Sequence, residues 1–116
     1  MFDSSCIFCR IIQKQIPSEI ITETEHLLVI KDINPKAPIH YLIIPKTHIQ
    51  SLATLQAADV FYGQHLFQMT AQLAQECPGK AFNLISNNGA SAGQSVAHLH
   101  FHFLAGRNLY EHGLKL

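Results

Sequence analysis

The sequence predicts a single α+β domain, in which two helices accompany a largely antiparallel five-stranded sheet in the order αβββαββ. Three observations lead to this prediction. The chain has 116 residues, 47% of them are hydrophobic, and short apolar runs alternate with two stretches of helical period. Only 14% of the residues are charged and the formal net charge is zero. This balance excludes intrinsic disorder and gives no basic surface for duplex nucleic acid.

Two segments have the apolar spacing of helices, residues 6–15 and residues 59–76. Ser4 or Ser5 can cap the first helix, and Asp59 can cap the second or lie at its positive end. A proline follows each segment within a few residues, and proline disfavours helical backbone in the residue before it. We therefore expect one short helix near the N-terminus and one long helix in the middle of the chain.

Five apolar runs bounded by turn residues predict the strands. The third of them, HYLIIP, is apolar almost throughout, which is typical of a central strand buried on both faces. The five strands are expected at residues 19–24, 27–32, 40–45, 81–86 and 96–104.

The sequence also excludes several locations. No apolar run approaches the roughly 18 residues that cross a bilayer, and the N-terminus carries an acid where a secretory signal would be basic. Three cysteines, an odd number, do not suit a disulfide framework. We therefore expect a cytoplasmic protein with no membrane partner.

Histidine is the unusual component, with eight residues against eight lysines and arginines together. His98, His100 and His102 alternate with apolar residues, and alternate side chains of a strand share one face. We expect Leu99, Phe101 and Phe103 in the core and the three imidazoles on the opposite face. Such a group can hold a metal ion, or it can transfer a phosphoryl group, with one neutral imidazole as nucleophile and protonated neighbours on the phosphate oxygens.

The loop before these histidines favours phosphate over a bare metal. Asn87-Asn88-Gly89 and Gly93-Gln94-Ser95 supply small residues, backbone N–H groups and a hydroxyl. Consecutive amides in such loops can form a nest for an anion.

The segment His98-Leu99-His100-Phe101-His102-Phe103-Leu104 resembles the motif His-φ-His-φ-His-φ-φ of the histidine triad (HIT) family, where φ is hydrophobic. The resemblance extends over residues 6–107 of one domain, 1–116, with 108–116 as a tail that diverges from the family and leaves the substrate preference open. It is closest to the histidine triad nucleotide-binding (Hint) branch. Further matching elements are Ile7-Phe8, Ile16-Pro17, Asp32-Ile33, Pro38-Ile39-His40, Pro45-Lys46 with His48, Asn87 and Gly93-Gln94-Ser95-Val96.

The resemblance implies a hydrolase that cleaves the P–N bond of purine nucleoside phosphoramidates. His100 would be the nucleophile and form a covalent nucleotidyl-histidine, and His102 would bind the phosphate oxygens. Ser95 and the amides of Ser95 and Val96 would hold the phosphate and contact the leaving group, with a side-chain donor from Asn87. The other members of the catalytic group are His98 and His40.

The same resemblance implies a purine nucleoside site. Asp32 would bind the ribose hydroxyls, a role we favour over the capping of a turn, which is the alternative for an aspartate at this place. Phe8, Ile11, Ile33 and Leu42 would enclose the base, although Ile11 and Leu42 can equally be core residues. Gly93 and Gln94 complete the nucleotide-binding loop.

Cys6-x-x-Cys9 has the spacing of half a zinc site or of a redox pair. No strand is predicted before Cys6, so the redox pattern is incomplete, and His48 and His98 are candidates for the other two zinc ligands. Several relatives carry this set of four, which implies a structural zinc ion that ties the N-terminal helix to the sheet, and no catalytic metal. Cys77 is expected to be a buried hydrophobic residue.

The resemblance finally implies a homodimer, in which the long helix and the strand at 81–86 meet their mates and join two sheets into one of ten strands. Two other functions stay open. The protein could be a nucleotide-binding regulatory module with vestigial hydrolysis, or a zinc–histidine protein without nucleotide chemistry.

Overall fold

The computed structural model describes residues 2–115 and confirms the order αβββαββ. The five strands form one sheet in the order β1-β2-β3-β5-β4, and all neighbouring pairs are antiparallel. Within the described residues, no helix is long and apolar enough to cross a membrane. The helices and strands are α1 (Ile7–Ile12), β1 (Ile20–Glu23), β2 (Leu27–Lys31), β3 (Ile39–Pro45), α2 (Phe61–Ala74), β4 (Asn83–Ile85) and β5 (Phe101–Ala105).

The first helix is shorter than predicted, and neither candidate serine caps it. Cys6 is the N-cap, and its Sγ accepts a hydrogen bond from the N–H of Cys9 at 3.4 Å. Ser5 instead donates its N–H and hydroxyl to Asp3. The helix ends before residue 15 because Lys14 adopts a left-handed backbone with φ of 62°.

The second helix begins at Phe61 and ends at Ala74, so Asp59 does not cap it. Asp59 lies in a short 3-10 turn, where its carboxylate accepts the N–H of Gln56 at 3.3 Å. Leu66, Met69 and Leu73 lie on the buried face of α2, at the predicted intervals of three and four. Just beyond the helix, Cys77 is buried, as predicted.

Two apolar layers cover the two faces of the sheet. The larger one contains Leu27 and Val29 of β2, the buried face of α2, and Leu99, Phe101 and Phe103, whose place in the core is confirmed. The smaller one lies beneath α1 and takes the alternate residues of β2, Leu28 and Ile30. The middle strand β3 is buried on both faces, as the apolar run HYLIIP predicts.

The fifth strand is the largest departure from the prediction. It begins at Phe101, not at residue 96, so residues 96–100 reach the sheet as irregular chain. The N–H of His98 bonds the carbonyl of Val96 at 2.8 Å, which makes a turn, and the N–H of Leu99 bonds the carbonyl of Ile49 at 2.6 Å. Of the three motif histidines, only His102 lies in the strand. The prediction of three imidazoles in register along one strand is therefore wrong.

Candidate active site and metal-binding cluster

Four residues predicted as metal ligands come together beneath the start of α1. Sγ of Cys6 lies 3.3 Å from Nδ1 of His98, and Sγ of Cys9 lies 3.3 Å from Nδ1 of His48 and 3.6 Å from Nδ1 of His98. The four ligand atoms are all within 4.8 Å of one another. His98 is completely buried and Cys9 nearly so, and burial raises the pKa of the Cys9 thiol above its ordinary value. We call these four residues the cysteine–histidine cluster.

In both imidazoles of this cluster, the ring nitrogen that points away from the sulfurs, Nε2, faces an acceptor. Nε2 of His98 donates to the carbonyl oxygen of Pro45 at 2.8 Å, and Nε2 of His48 lies 3.9 Å from a carboxylate oxygen of Asp3. A carbonyl oxygen can only accept, so Nε2 of His98 carries the proton and its Nδ1 keeps a lone pair that points at the sulfurs. Burial lowers the pKa of His98 to about 4, so the ring is neutral at pH 7.

The cluster fits a tetrahedral zinc ion. Zinc bonds of about 2.3 Å to sulfur and about 2.0 Å to nitrogen place neighbouring ligand atoms roughly 3.5 Å apart, and the sulfur–nitrogen distances here are 3.3 to 3.6 Å. Oriented lone pairs at the front, with an acceptor behind each ring, are the usual supports of histidine ligands. The donor set and these three distances therefore suit zinc.

His100 is buried beside this cluster and is held at one ring nitrogen. Its Nδ1 lies 2.7 Å from the carbonyl oxygen of His98, and Phe8 packs edge-on against the ring with centroids 5.0 Å apart. Because the carbonyl can only accept, Nδ1 carries the proton. In the neutral form of this ring the lone pair is on Nε2, which has no hydrogen-bond partner among residues 2–115.

A second group joins three of the predicted residues at the other end of β3. Nδ1 of His40 accepts the backbone N–H of Lys36 at 3.0 Å, so the proton of the neutral His40 ring is on Nε2. That Nε2 lies 2.9 Å from Nδ1 of His102 and 3.3 Å from a carboxylate oxygen of Asp32. It donates to His102, whose own proton is thereby on Nε2. We call these three side chains the aspartate–histidine group.

His102 is a neutral donor in this arrangement. Burial, together with the neighbouring His100 and His40, lowers the pKa of His102 to about 4, and burial also lowers the pKa of His40. Both shifts favour the uncharged rings at pH 7, in contrast to the expectation of protonated neighbours around the nucleophile. The N–H at Nε2 of His102 can still bind an anionic oxygen, since neutral N–H groups stabilise oxyanions by hydrogen bonding.

The two carboxylate oxygens of Asp32 have different partners. One accepts the N–H of Asn34 at 2.8 Å and caps the turn after β2, which confirms the alternative interpretation for that oxygen. The other oxygen faces His40, and the side chain keeps 16% of its exposure. A ligand hydroxyl can therefore reach this carboxylate only from the open side of the turn.

The side chain of Gln94 holds the loop before the motif histidines through three hydrogen bonds to backbone groups. Its side-chain carbonyl accepts the N–H of Gly89 at 2.7 Å, and its amide donates to the carbonyls of Gln50 and Val96 at 2.7 and 3.0 Å. The N–H groups of Gly93 and Gln94 bond carbonyls within the loop. These contacts use up the amides of residues 89, 93 and 94, so the anion nest expected there cannot include them.

Ser95 and Val96 follow directly, and their amides meet no acceptor in residues 2–115. Ser95 is exposed and lines, with Val96, a groove above the cysteine–histidine cluster. Asn87 lies elsewhere, in a hollow of about 360 Å³ that also contains His102. The hollow is lined by Asp32, Asn34, Lys36, His40, Ile85, Asn87, His102 and Leu104.

The four residues expected around a base separate into two kinds. Phe8, Ile11 and Leu42 lie together in the smaller apolar layer, where less than a tenth of each is exposed. Ile33, by contrast, is 97% exposed at the turn after β2. The structure therefore joins the first three and leaves Ile33 apart from them.

Three contributors to these sites were not predicted. Asp3 lies behind His48, the carbonyl of Pro45 lies behind His98, and the N–H of Lys36 lies behind His40. Two of the three act through the backbone, so their side chains carry no signal. Asp3 could have been suspected from its place beside Cys6, since ligand histidines commonly donate to a carboxylate.

Comparison with known proteins gives consistent matches over most of the chain. The family model "Scavenger mRNA decapping enzyme C-term binding" matches residues 5–112. An uncharacterized HIT-like protein from Synechocystis sp. is 41% identical over 102 residues, covering 87% of this chain and 90% of that protein.

Solved structures agree with this match. A HIT family hydrolase from Clostridium thermocellum superposes with a TM-score of 0.89 at 38% identity, covering 98% of both chains. A Zn-bound histidine triad family protein from Mycobacterium smegmatis superposes with a TM-score of 0.75 at 37% identity, covering 90% of this chain and 76% of that one.

Proposed function

The chain belongs to the histidine triad family, and from this premise we propose that it hydrolyses the P–N bond of purine nucleoside phosphoramidates, as the Hint branch does. The observation that carries the proposal is the hydrogen bond of 2.7 Å from Nδ1 of His100 to the carbonyl of His98. It holds the proton on Nδ1 and leaves Nε2 as an oriented lone pair. A neutral imidazole held in this way is an activated nucleophile that needs no separate base.

In the proposed first step, Nε2 of His100 attacks the α-phosphorus of an AMP-amine. The new N–P bond forms as the P–N bond to the leaving amine breaks, and that nitrogen takes up a proton from solvent, which the water consumed in the second step returns. Ser95, the exposed hydroxyl in front of the motif, is the residue we assign to the leaving group. In the second step, water attacks the phosphorus of the nucleotidyl-histidine, releases the nucleoside monophosphate and restores neutral His100.

Negative charge on the phosphate oxygens increases in both transition states, and we assign its stabilisation to N–H donors. His102 supplies the N–H at Nε2, and the free amides of Ser95 and Val96 supply two more. Asn87, in the same hollow as His102, adds a side-chain amide. Removing one donor of this kind costs roughly 10² to 10³ in rate in other enzymes.

We assign the nucleoside to the surface between α1 and the turn after β2. The partly exposed carboxylate of Asp32 is suited to the ribose hydroxyls, since each of its oxygens can accept more than one hydrogen bond. Phe8, Ile11 and Leu42 form an apolar floor, and Ile33 is free to fold over a base. Its exposed side chain would lose contact with water when the ligand binds, which favours binding.

The cysteine–histidine cluster belongs to the proposal as a structural zinc site. Bound zinc would supply cross-links between α1, the segment after β3 and the segment before β5, and no step of the reaction uses it. We further propose a cytoplasmic homodimer, consistent with three free cysteines and with Phe61 and Phe67 exposed on α2.

The decisive experiment is hydrolysis of a fluorogenic adenosine phosphoramidate by the wild type and by His100→Ala. We expect turnover by the wild type and a loss of at least about 10⁴-fold in the variant, because no other group replaces the nucleophile. His65→Gln, which changes a histidine of α2 packed on His26, is the matched control and should keep its activity.

The same experiment tests the alternative function. If the wild type binds AMP but releases no amine, the protein is a nucleotide-binding module, and the proposed hydrolysis is wrong. A nucleotidylated His100, trapped by rapid denaturation at alkaline pH, where the N–P bond of the intermediate survives, would support the covalent route directly.

A further inference from the structure

The carbonyl that orients His100 does not belong to the sheet. It is the carbonyl of His98, and β5 begins only at Phe101. The ladder between β3 and β5 pairs residues from Phe101 onwards, so it does not position the backbone of residue 98. Some other interaction must hold this carbonyl at 2.7 Å from the nucleophile.

His98 is held at each of its other polar atoms. Its N–H bonds the carbonyl of Val96 at 2.8 Å, and its Nε2 donates to the carbonyl of Pro45 at 2.8 Å. Its Nδ1 points at the sulfurs of Cys6 and Cys9. The ring is completely buried, so any change at Nδ1 is transmitted to the backbone of the same residue.

A second contact connects the same cluster to the nucleophile. Phe8 stands between the two cysteines in α1 and packs edge-on against both His98 and His100, with ring centroids 5.8 and 5.0 Å away. A movement of α1 at the cysteines therefore moves the ring that supports His100. Both routes are direct and involve only neighbouring side chains.

We propose that zinc in the cysteine–histidine cluster positions the nucleophile, with His98 as the positioning residue. This inference rests on the proposed function for its kinetic part and on the structure alone for its spectroscopic part. With zinc on Nδ1, the ring of His98 is fixed between the metal and Pro45, and its carbonyl holds His100 in the tautomer with the proton on Nδ1. Without zinc, residues 96–100 lose this anchor and His100 samples both tautomers.

Substitution of Cys6 separates metal binding from helix capping. Cys6 is also the N-cap of α1, where serine and aspartate are both good caps. Aspartate can bind zinc, whereas a serine hydroxyl is a poor ligand. Cys6→Ser should therefore keep the cap and lose the metal, and Cys6→Asp should keep both. Cys77→Ser, at a buried cysteine outside the cluster, is the matched control.

The first readout does not depend on activity. Ring-nitrogen chemical shifts of His100, from ¹⁵N-labelled protein, report the share of the Nδ1–H tautomer. We expect this tautomer to predominate in zinc-loaded wild type, Cys6→Asp and Cys77→Ser, and to give way to a mixture in folded Cys6→Ser and in wild type treated with a chelator. Chelation keeps the test valid if Cys6→Ser does not fold.

The second readout is kinetic. We expect kcat of Cys6→Ser to fall roughly 10- to 100-fold, the usual effect of lost outer supports of a site, while KM changes less than about twofold. Cys6→Asp should recover most of kcat. If metal-free folded protein keeps the wild-type tautomer, the inference is wrong, whatever the activity. If wild type turns over no phosphoramidate while the tautomer responds to zinc, the proposed function fails and the positioning stands.

Discussion

Two clusters of this molecule contain nearly the same kind of side chains and are suited to different chemistry. The cysteine–histidine cluster and the aspartate–histidine group each bring two imidazoles and acidic ligand atoms within 4.8 Å of one another. By composition and spacing alone, both are metal sites, and two histidines with one carboxylate are a common metal triad. The difference lies in the partner of the second ring nitrogen, the one that points away from the other members of the cluster.

In the first cluster, each ring has an acceptor behind it, the carbonyl of Pro45 for His98 and the carboxylate of Asp3 for His48. The hydrogen bond to Pro45 keeps the lone pair on Nδ1 of His98 available to a metal, and the nearby carboxylate of Asp3 favours the same tautomer of His48. In the second group, the N–H of Lys36 stands behind His40, so the proton is at the front, between His102 and Asp32. A neutral His40 cannot bind a metal through that nitrogen without breaking the bond to Lys36.

In both groups, the partner of the ring nitrogen that points away from the cluster determines the role of the histidine more than the side chains that the other nitrogen faces. Pro45 is the last residue of β3, and Lys36 lies just before the strand begins. Backbone groups at opposite ends of one strand therefore orient His98 toward a metal and His40 toward donation to His102. Three predictions test this contrast.

The largest effect should come from metal binding. Wild type should hold one zinc ion per chain, Cys9→Ser none, and Asp32→Ala one. We expect Cys9→Ser to lose several kcal/mol of unfolding free energy, because the energy of binding a structural metal is folding energy. Metal analysis by mass spectrometry and thermal melting measure the two quantities, with Cys77→Ser as the control. Two zinc ions per wild-type chain, reduced to one in Asp32→Ala, would contradict the contrast.

The next effect is the response of stability to acid. The pKa of His102 is about 4 in the folded protein, mainly through burial, against 6.5 for an ordinary histidine. As the pH falls, the unfolded chain therefore binds a proton at this histidine before the folded chain does. The contribution of neutral His102 to the free energy of unfolding is constant above about pH 7 and is lost as the pH falls from about 6.5 to about 4. The difference in pKa corresponds to about 3 kcal/mol at most, since one unit is about 1.4 kcal/mol and the side chain is partly exposed.

His102→Gln isolates this effect. Glutamine can still accept from Nε2 of His40, and both proteins contain the cysteine–histidine cluster, so the acid sensitivity of the cluster cancels in the difference. Urea unfolding at a series of pH values should show the variant losing less stability between pH 7 and pH 4 than the wild type. Parallel curves would mean that His102 is not held neutral in the fold.

The smallest effect concerns the hydrogen bond from Nε2 of His40 to Nδ1 of His102. His40→Leu removes the N–H that sets the tautomer of His102, and we expect kcat to fall about tenfold, or about 1.4 kcal/mol. His40→Gln can accept from Lys36 and donate to His102 with one amide, so it should keep most of the activity. Zinc content should stay at one ion per chain in both variants. Equal activity of His40→Leu and wild type would remove His40 from the network.

The sequence allowed more of the fold to be predicted than of the site. Leu99, Phe101 and Phe103 were placed in the core correctly because an alternating apolar pattern survives an error in strand length. The start of β5 was wrong, since His98 and Leu99 bond Val96 and Ile49 outside the ladder. The helix caps also differed: the hydroxyl of Ser5 donates to Asp3, and the Sγ of Cys6 accepts the N–H of Cys9 at the start of α1.

The order of the residues specifies the available side chains: two cysteines three apart, the alternating histidines, and an aspartate at the end of an apolar strand. The role of each histidine follows from the folded chain, because it depends on where a proton lies on the ring. The proton is placed by the carbonyls of Pro45 and His98 and by the N–H of Lys36. Every residue except proline carries the same backbone donor and acceptor, so no sequence pattern marks the ones that matter, and folding alone brings them behind a ring.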